Sequence, residues 1–596
     1  MLDILFVNPT YEKALRREIN GTLLLATKLL QADFQVEVLR FCEMENFNKD
    51  YPAFIREMLD EILARKPRCV SFYCLWPDYH VSLRLAKELK AVDPSIVTVF
   101  GGPQASMTPS ETMDIAPYID YLSAGEGENT VVPLFSYILR GEGDRDQIPG
   151  LYYHAEGVLH RNEALPPLCD LNTLPLWDKR LIPDYEDPGR TKPYYYMPID
   201  AGRGCPFKCT FCCTSYFWQR NYRMKSPERI IQEVKFFHDN YGIRSFLFSH
   251  DAFTVNKKLV ESVCDKILEE GLDISWECST RMDCVTEELL LKMKKAGMTN
   301  IQMGVETGSP RMQKLTNKKL DLDRIRKMAK FLFKNQVYCV LFFMYGFPEE
   351  TEEDLNQTLE MIFSLMDGGN KYFSMSLCRF TPNTAITNQY LDQLEFDPKM
   401  MILYHDIFGF EEERELICNN RSIFPFYYNL KTDVRNNYQY LHFLVELCMK
   451  CNHPARQLRR IYNGDYIQFY RDFCAANREI VEGSAIGPDR WFEEHPLEAM
   501  LNIVALRNDP FRKELEGLLR YAYALHRITE ATEDMTIRDT YDFNYVDLKL
   551  KHPIPQFTPG RSEILLERIH GKVSVRVLDI RWDRERSVPV YETQAP

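Results

Sequence analysis

Short apolar runs alternate with helical segments over the first 140 residues of the chain. The predicted strands are residues 4–7, 36–41, 69–73, 96–100 and 119–124. The segments between them carry apolar residues at helical spacing and predict helices at residues 21–31, 53–65 and 81–92. This alternation predicts a doubly wound, Rossmann-like α/β domain, in which helices cover both faces of a parallel sheet.

The loops at the carboxyl ends of these strands are candidate binding sites, because ligands of such folds bind at that edge of the sheet. Two of the loops contain several glycines, so their backbone can lie close against a large, flat ligand. The candidate residues are Asn8, Cys74, Leu75, Trp76, Gly101, Gly102, Gln104, Gly125, Glu126, Gly127 and Glu128.

Residues 141–198 break this pattern and predict a connector. They contain polar residues, a possible hairpin at residues 148–153 and several prolines. From residue 199 the alternation resumes and continues to about residue 395. The predicted strands are 246–249, 274–278, 301–304, 338–344 and 373–378, and the predicted helices are 227–240, 257–270, 287–296, 321–335 and 352–366. With the strand beginning at Ile199, they predict six strand–helix units.

Cys205, Cys209 and Cys212 stand in a C-x3-C-x2-C spacing between Gly204 and a predicted helix. Thiolates are the usual ligands of iron–sulfur clusters. Three of them can hold three irons of a four-iron cluster and leave the fourth iron open, which suits chemistry better than electron storage. The alternative is three ordinary thiols in a loop. The next residue, Cys213, is interpreted as structural.

Charge and cysteine content narrow the class of protein. The net charge of -13 argues against nucleic acid or an anionic membrane as a partner. Seventeen cysteines without a paired spacing indicate free thiols in a reducing cytoplasm. We also expect no membrane span, because no window of about 18 uncharged apolar residues occurs in the sequence. The expected location is cytoplasmic.

Residues 396–596 lack the alternation and carry aromatic-rich segments at helical spacing. These segments, which predict a mainly helical C-terminal domain, are residues 401–408, 438–450, 454–462, 467–477, 497–502 and 512–526. Residues 562–580 alternate like a terminal hairpin. Cys448 and Cys451 leave two alternatives open, a second metal site or buried thiols. We expect this domain to select the substrate.

The glycine-rich loops, followed by the three-cysteine motif, resemble the cobalamin-dependent radical S-adenosylmethionine (SAM) enzymes. In that family a cobalamin-binding domain, here residues 1–140, is fused to a radical SAM domain, here residues 199–395. The resemblance implies that cobalamin lies against the first domain. It also implies a partial (β/α)6 barrel, with a 4Fe-4S cluster on the three cysteines and SAM on the open iron. Further implied SAM-binding residues are Phe211, His250, Arg281, Glu306 and Met344.

One departure from the family concerns the lower face of the cobalamin. Members that ligate cobalt through histidine carry Asp-x-His-x-x-Gly after the first strand, whereas the first histidine here is His80. We therefore expect no histidine ligand. Trp76 is the candidate for covering this face, and the alternative is that Trp76 is a core aromatic that closes the loop.

The resemblance implies a C-methyltransferase that acts on an unactivated carbon of a small-molecule or peptide natural product. A 5′-deoxyadenosyl radical would take a substrate hydrogen, and methylcobalamin would donate the methyl group. Cyclisation or rearrangement without methyl transfer is one alternative, and a non-catalytic cobalamin or redox sensor is another. The expected partners are the substrate and an electron donor such as flavodoxin or ferredoxin, with no nucleic acid and no membrane.

Overall fold

The computed structural model describes most of the chain up to residue 507 and parts of the remainder. The described residues are 2–8, 20–40, 50–162, 166, 168–181, 197–397, 411–483, 495–507, five single residues between 512 and 523, and four strands between 535 and 593. The chain divides into two compact units. The first comprises Met1–Val305, Gln313–Cys339 and Cys378–Arg435, and the second comprises Glu306–Met312, Val340–Leu377 and Asn436–Pro596.

The first unit begins with a seven-stranded sheet. In chain order its strands are β1 (Leu2–Asn8), β2 (Val36–Arg40), β3 (Pro67–Tyr73), β4 (Val97–Gly101), β5 (Tyr121–Ser123), β6 (Leu151–Ala155) and β7 (Val158–Arg161). Their order across the sheet is β2-β1-β3-β4-β5-β6-β7. The first five are parallel, and β6 and β7 form an antiparallel hairpin at the edge. The predicted strands and the hairpin are therefore confirmed.

Helices cover this sheet and explain why its strands are so apolar. They are α1 (Asn20–Gln31), α2 (Tyr51–Ala64), α3 (Tyr79–Val92), α4 (Pro103–Met107), α5 (Pro109–Ile115) and α6 (Val131–Arg140). The first three were predicted from helical spacing, whereas α4, α5 and α6 were not. Ile4, Leu5 and Val7 in β1 are all fully buried, as expected for a parallel strand that is covered on both faces.

Four parallel strands follow in the first unit: β8 (Met197–Asp200), β11 (Ser245–Ser249), β12 (Ser275–Thr280) and β13 (Met298–Glu306). A short antiparallel pair, β9 (Gly202–Arg203) and β10 (Arg223–Met224), lies between β8 and β11 in the chain. The short helix α7 (Thr214–Phe217) separates β9 from β10, and α8 (Pro227–Tyr241), α9 (Lys257–Glu269) and α10 (Glu287–Lys295) separate the longer strands. Ser226 caps α8 by accepting a hydrogen bond from the backbone N–H of Arg229.

The later strand–helix units also match the predictions. After α11 (Pro310–Leu315) and α12 (Leu322–Lys334) come β14 (Tyr338–Tyr345), α13 (Glu352–Asp367), β15 (Tyr372–Leu377) and α14 (Ala385–Tyr390). β14 and β15 are parallel. The side chains of Thr351 and Asp354 form a capping box at the start of α13. The central region thus has the predicted alternation of parallel strands and helices.

A mainly helical region follows, as predicted. Its strands are β16 (Glu395–Phe396) and β17 (Tyr428–Asn429). Its helices are α15 (Arg414–Asn419), α16 (Asp433–Asn437), α17 (Leu441–Lys450), α18 (Asn452–Arg460), α19 (Tyr466–Ala476), α20 (Arg478–Gly483) and α21 (Pro496–Arg507). The helix predicted at residues 401–408 and most of the one predicted at 512–526 lie outside the described residues. Cys448 and Cys451 are buried.

The predicted terminal hairpin is present as part of a larger sheet. β19 (Gly560–Ile569) and β20 (Lys572–Asp583) pair antiparallel, and β18 (Met535–Phe543) and β21 (Val588–Thr593) flank them. The sequence pattern predicted two of these four strands. None of the described helices combines the length and apolar composition needed to cross a bilayer.

Candidate active site

A cavity of about 720 Å³ lies within the first unit, between loops of the N-terminal sheet and residues of the central strands. The N-terminal sheet contributes Leu75 and the two glycine-rich loops. The central strands contribute the ends of β8 and β11, with Ser279 of β12 and Gln302 of β13. The apolar part of the lining includes Phe6, Leu25, Phe100, Phe217, Trp218 and Phe248. The cavity therefore adjoins the glycine-rich loops and the predicted SAM-binding residue His250, whereas Cys205, Cys209 and Cys212 are not among its lining residues.

The glycine-rich loops form one wall of this cavity with their backbone. Gly102 has φ 96° and ψ -179°, a conformation that is open essentially to glycine alone. A Cβ atom at Gly102 would lie 3.0 Å from the backbone N and O of Cys74. At Gly127 a Cβ would lie 3.0 Å from Leu25. A flat ligand such as a corrin ring fits a wall of this kind, because little but backbone stands in its way.

Other predicted loop residues have structural contacts and are not among those that line the cavity. Asn8 is buried and accepts a hydrogen bond from the Thr22 hydroxyl (3.0 Å). Cys74 is bonded through its backbone to Gly101 and Gln104. The Gln104 side chain donates to the carbonyl of Ile423 (3.0 Å).

Trp76 packs against Phe426, with ring centroids 4.3 Å apart, and lies 5.4 Å from the guanidinium of Arg379. It is not among the residues that line the cavity, whereas the neighbouring Leu75 is. His80 is fully buried and its Nδ1 lies 3.4 Å from the Tyr427 hydroxyl. These contacts are those of a packed core, and covering of the cobalamin by Trp76 stays a prediction.

The three-cysteine loop is held in a tight conformation. Gly204 has φ 83°, and a Cβ there would lie 1.8 Å from the carbonyl oxygen of Asn221. The backbone N–H of Thr210 donates to the carbonyl of Thr316 (3.0 Å), and the N–H of Cys212 donates to that of Cys209 (3.3 Å). Only glycine fits at position 204, which explains the glycine that precedes the first cysteine.

The residues present fit a cluster better than a single ion. Cys205, Cys209 and Cys212 are partly exposed, and none of them is in a disulfide. Among the described residues, their sulfurs do not form a set lying within 4.8 Å of one another. Such spacing suits ligands of different metal atoms of a cluster. Burial raises the pKa of Cys205 to about 11, so bound metal would be needed to keep its thiolate.

Arg281 lies beside the cluster loop but already has partners. It forms an ion pair with Asp283 (2.9 Å) and donates to the carbonyl of Lys318 (2.8 Å). Its Nη1 lies 3.6 Å from the sulfur of Cys209, and its guanidinium stacks over the Phe207 ring at 3.8 Å. Arg281 therefore supports a cysteine of the motif. Its predicted contact with the SAM carboxylate would compete with Asp283.

His250 follows β11, lines the cavity and is neutral. Its Nδ1 accepts a hydrogen bond from the backbone N–H of Ala252 (2.8 Å). Burial lowers the pKa of His250 to about 4, despite the opposing effects of the Arg223 backbone and of Asp200. A Cβ at Gly202 would lie 2.6 Å from the ring. His250 therefore packs tightly against β9 as a neutral imidazole.

A buried network of charges joins the loop after β5 to the cluster-bearing segment. Arg203 lies 2.6 Å from Glu128, 3.5 Å from Glu126 and 3.0 Å from Asp200. Arg223 also pairs with Glu126 and donates to the carbonyl of Cys169 (2.9 Å). Burial opposes the ionisation of Glu126, but Arg223 and Arg203 outweigh it and lower its pKa. Three carboxylates thus share two guanidinium groups.

The same network includes three side chains that could together bind a metal ion. Oxygens of Glu126 and Glu128 and the sulfur of Cys169 lie within 4.8 Å of one another. The two arginines already neutralise these carboxylates, so no cation is needed there. The network is therefore an ionic link between the predicted cobalamin loop and the cluster loop. The sequence analysis missed Arg203, Arg223 and Asp200, although Arg203 stands two residues before the first cysteine of the motif.

Three of the predicted SAM-binding residues are not among those that line the cavity. Glu306 and Met344 belong to the second unit, where Glu306 ends β13 as a buried residue with φ 70° and Met344 lies in β14. A positive φ in a residue other than glycine costs free energy and is commonest at functional sites. Phe211 is half-buried in the cluster loop. The roles of these three residues stay predictions.

Known proteins resemble the chain in both halves of this site. Residues 20–135 match the profile of the B12 binding domain, and residues 199–362 match that of the radical SAM superfamily. An uncharacterized methyltransferase of Pyrococcus horikoshii is 26% identical over 478 residues, which cover 78% of this chain and 99% of that protein.

The chain is also similar to a protein named as a cyclase and to a solved structure of a cobalamin-dependent enzyme. An anaerobic magnesium-protoporphyrin IX monomethyl ester cyclase of Rubrivivax gelatinosus is 27% identical over 317 residues, and the match spans only 56% of that protein. The solved structure of the cobalamin-dependent SAM radical enzyme OxsB has a TM-score of 0.60 at 13% identity and covers 88% of this chain and 80% of that one. This structural likeness concerns the fold.

The two family matches lie where the structure places the glycine-rich loops and the three-cysteine loop. Both loops belong to one unit, which also holds the cavity. Cobalamin and SAM, which the sequence predicted as cofactors, appear in the names of the two matched profiles. The third predicted cofactor, a 4Fe-4S cluster, is bound together with cobalamin in the solved structure of TsrM from Kitasatospora setae, which has a TM-score of 0.53 at 16% identity and covers 66% of this chain and 75% of that one. The chain therefore combines a region that matches the B12 binding domain with a region that matches the radical SAM superfamily.

Proposed function

We propose that the protein is a C-methyltransferase that acts on an unactivated carbon of a small-molecule or peptide natural product. The observation that carries this proposal is the single cavity bounded by both the glycine-rich loops and the ends of β8 and β11. Methyl transfer to carbon needs a methyl donor and a hydrogen-abstracting radical close to one substrate atom. One shared cavity meets that requirement.

The protein residues hold and separate the two reacting centres. When bound, the cluster and SAM supply a radical that takes a substrate hydrogen, and the cobalamin supplies the methyl group. Cys205, Cys209 and Cys212 would hold the cluster. Gly101, Gly102 and the loop from Gly125 to Glu128 would lie against the cobalamin. The ion pairs of Arg203 with Glu126 and Glu128 hold the cluster loop and the cobalamin loops in a fixed relative position.

The lining of the cavity indicates the substrate class. Aromatic side chains from both sides, Phe100, Phe217, Trp218 and Phe248, provide an apolar surface. His250 beside them is neutral, because burial lowers its pKa to about 4. An uncharged, ring-bearing or otherwise apolar substrate fits this lining better than a phosphorylated one.

Cyclisation without methyl transfer is a second candidate, favoured by the similarity to the Rubrivivax gelatinosus protein named as a cyclase. The methyltransferase name of the Pyrococcus horikoshii relative, whose whole length is matched, favours the first candidate. The two reactions differ in product mass, because only methylation adds a carbon.

The test is anaerobic turnover of the reconstituted holoenzyme with SAM labelled by deuterium in its methyl group. A metabolite extract of the source organism serves as the substrate pool, and chromatography with mass spectrometry follows the products. We expect 5′-deoxyadenosine together with a product that carries a trideuteromethyl group. A product of altered structure without deuterium would establish the cyclase alternative, and absence of SAM cleavage would overturn both.

The proposal includes a cytoplasmic location and a protein electron donor. Each turnover that begins with reductive SAM cleavage draws one electron from outside the chain. The absence of disulfides among the described cysteines suits a reducing compartment, as would an oxygen-sensitive cluster. A small flavin or iron–sulfur carrier is the natural source of such an electron.

A further inference from the structure

Three lysines form an exposed basic group beside the cluster loop, here termed the basic rim: Lys208, Lys314 and Lys319. Lys208 directly precedes Cys209, and the other two lie on the turn that ends α11. All three are exposed. Elsewhere in the unit, exposed Lys235 forms an ion pair with Glu270, and partly buried Lys266 forms one with Glu228.

A side-chain hydrogen bond joins the two parts of the basic rim, and a backbone hydrogen bond closes the turn that carries Lys319. The Asn317 side chain donates to the carbonyl of Lys208 (2.7 Å). The N–H of Lys319 donates to the carbonyl of Gln313 (2.9 Å), which closes the turn. Asn317 and Lys319 both have positive φ, 56° and 57°. The rim is therefore a fixed feature of the fold.

The charges of the basic rim are available to a partner. Within the described part of the chain, Lys208, Lys314 and Lys319 form no ion pair. Leu315 between two of them is 41% exposed. The nearest acids in sequence are Asp321 and Asp323, and Asp321 is engaged by the backbone N–H groups of Asp323 and Arg324. A basic surface with an apolar centre thus interrupts a protein of net charge -13.

The basic rim also lies against a cluster ligand. Arg281 connects the turn to the cluster loop, because its Nη2 donates to the carbonyl of Lys318 (2.8 Å) and its Nη1 lies 3.6 Å from the Cys209 sulfur. A protein docked on the rim would therefore approach the cluster from the side of Cys209. Opposite charge on such a partner raises the association rate by roughly 10- to 1000-fold at low salt.

We propose that the basic rim is the docking surface for an acidic one-electron carrier protein that reduces the cluster. The proposal rests on the proposed function, which requires an external electron. In the step, the reduced carrier loses one electron, the oxidised cluster gains it, and no bond or proton is exchanged. The overall negative charge of the enzyme would repel an acidic carrier elsewhere, so the rim would also select the site of approach.

The test compares two reductants on the anaerobic holoenzyme. Bleaching of the cluster absorbance is followed by stopped flow, with either a reduced acidic flavodoxin or photoreduced deazaflavin, a small neutral reductant. In the variant with Lys208→Gln, Lys314→Gln and Lys319→Gln, the bimolecular rate with flavodoxin is expected to fall at least about tenfold. The deazaflavin rate and the SAM cleavage it supports are expected to stay as in the wild type.

The matched control is Lys295→Gln, which changes an exposed lysine in the last turn of α10, shortly before the amino-terminal end of β13. It should leave both rates unchanged. Salt provides a second measurement on the wild type, because the flavodoxin rate should fall steeply between low and high ionic strength. A flavodoxin rate that responds neither to salt nor to the triple change would overturn the proposal. Normal SAM cleavage with deazaflavin would leave the proposed function standing.

Discussion

The two sheets of the first unit end in loops of different character. The loops after β4 and β5 shape the cavity with glycine backbone, and their two glutamates are neutralised by arginines. The segment after β8 instead carries three thiols on a tight turn that requires glycine at position 204. The first arrangement recognises a ligand by shape, and the second recognises a metal by ligand chemistry. The two sides should therefore respond differently to substitution.

The largest effect is expected on the thiol side. Replacing Cys209 by alanine removes a cluster ligand and should abolish SAM cleavage, as measured by 5′-deoxyadenosine release and iron content. The matched control is Cys213→Ala. Burial raises the pKa of the Cys213 thiol to about 12, so it is a poor metal ligand, and the variant should keep the cluster intact. Full SAM cleavage by the Cys209 variant would refute the assignment of the motif.

Breaking the ionic link between the two sides should come next. Glu128→Ala leaves buried Arg203 with fewer counter-charges, and breaking a buried pair costs about 3 kcal/mol of unfolding free energy. The thermal midpoint of the full chain should fall, whereas Glu142→Ala, at an exposed site, should leave it unchanged. In a double-mutant cycle with Arg203→Gln, the two losses should be less than additive. Additive losses would mean that the pair is not coupled.

Corrinoid binding by the glycine-rich loops should be weakened by the addition of a single methyl group. Gly102→Ala forces alanine into a glycine-only conformation against Cys74, at a cost of about 1–3 kcal/mol, and should weaken corrinoid binding in an equilibrium titration by absorbance. Gly141→Ala is the control, because its φ of 68° is left-handed but no atom lies within 4 Å of the added carbon. Equal corrinoid affinity in both variants would contradict a backbone-shaped wall.

The smallest effect concerns His250, which lies where the two sides meet. Burial lowers the pKa of His250 to about 4 from an ordinary 6.5, so its neutral form stabilises the fold above pH 6.5. This contribution, up to ~3 kcal/mol, should be lost as the pH falls from 6.5 towards 4. The thermal midpoint of His250→Gln should therefore depend less on pH between 7.5 and 5 than that of the wild type. Parallel pH profiles would exclude this role.

Strand positions were predictable because each depends on a local pattern. Apolar runs such as Ile4–Val7 are buried on both faces, and Ser226 and Thr351 cap the helices α8 and α13 that follow them directly in the chain. Helices α4 and α5 escaped prediction because each is short and begins at a proline within a loop. The strands that flank the terminal hairpin, β18 and β21, were not predicted from the sequence pattern.

The amino-acid sequence alone determined the cofactor chemistry. Three cysteines at fixed spacing and a glycine at position 204 carry their meaning within a dozen residues, because ligand type and backbone freedom are local properties. Only the tertiary structure decided which charges meet. Glu126 and Glu128 are neutralised by Arg203 and Arg223, which lie far away along the chain, and Arg281 is directed to Asp283 and the Lys318 carbonyl. Ion pairing depends on distance in space, and a linear pattern does not encode it.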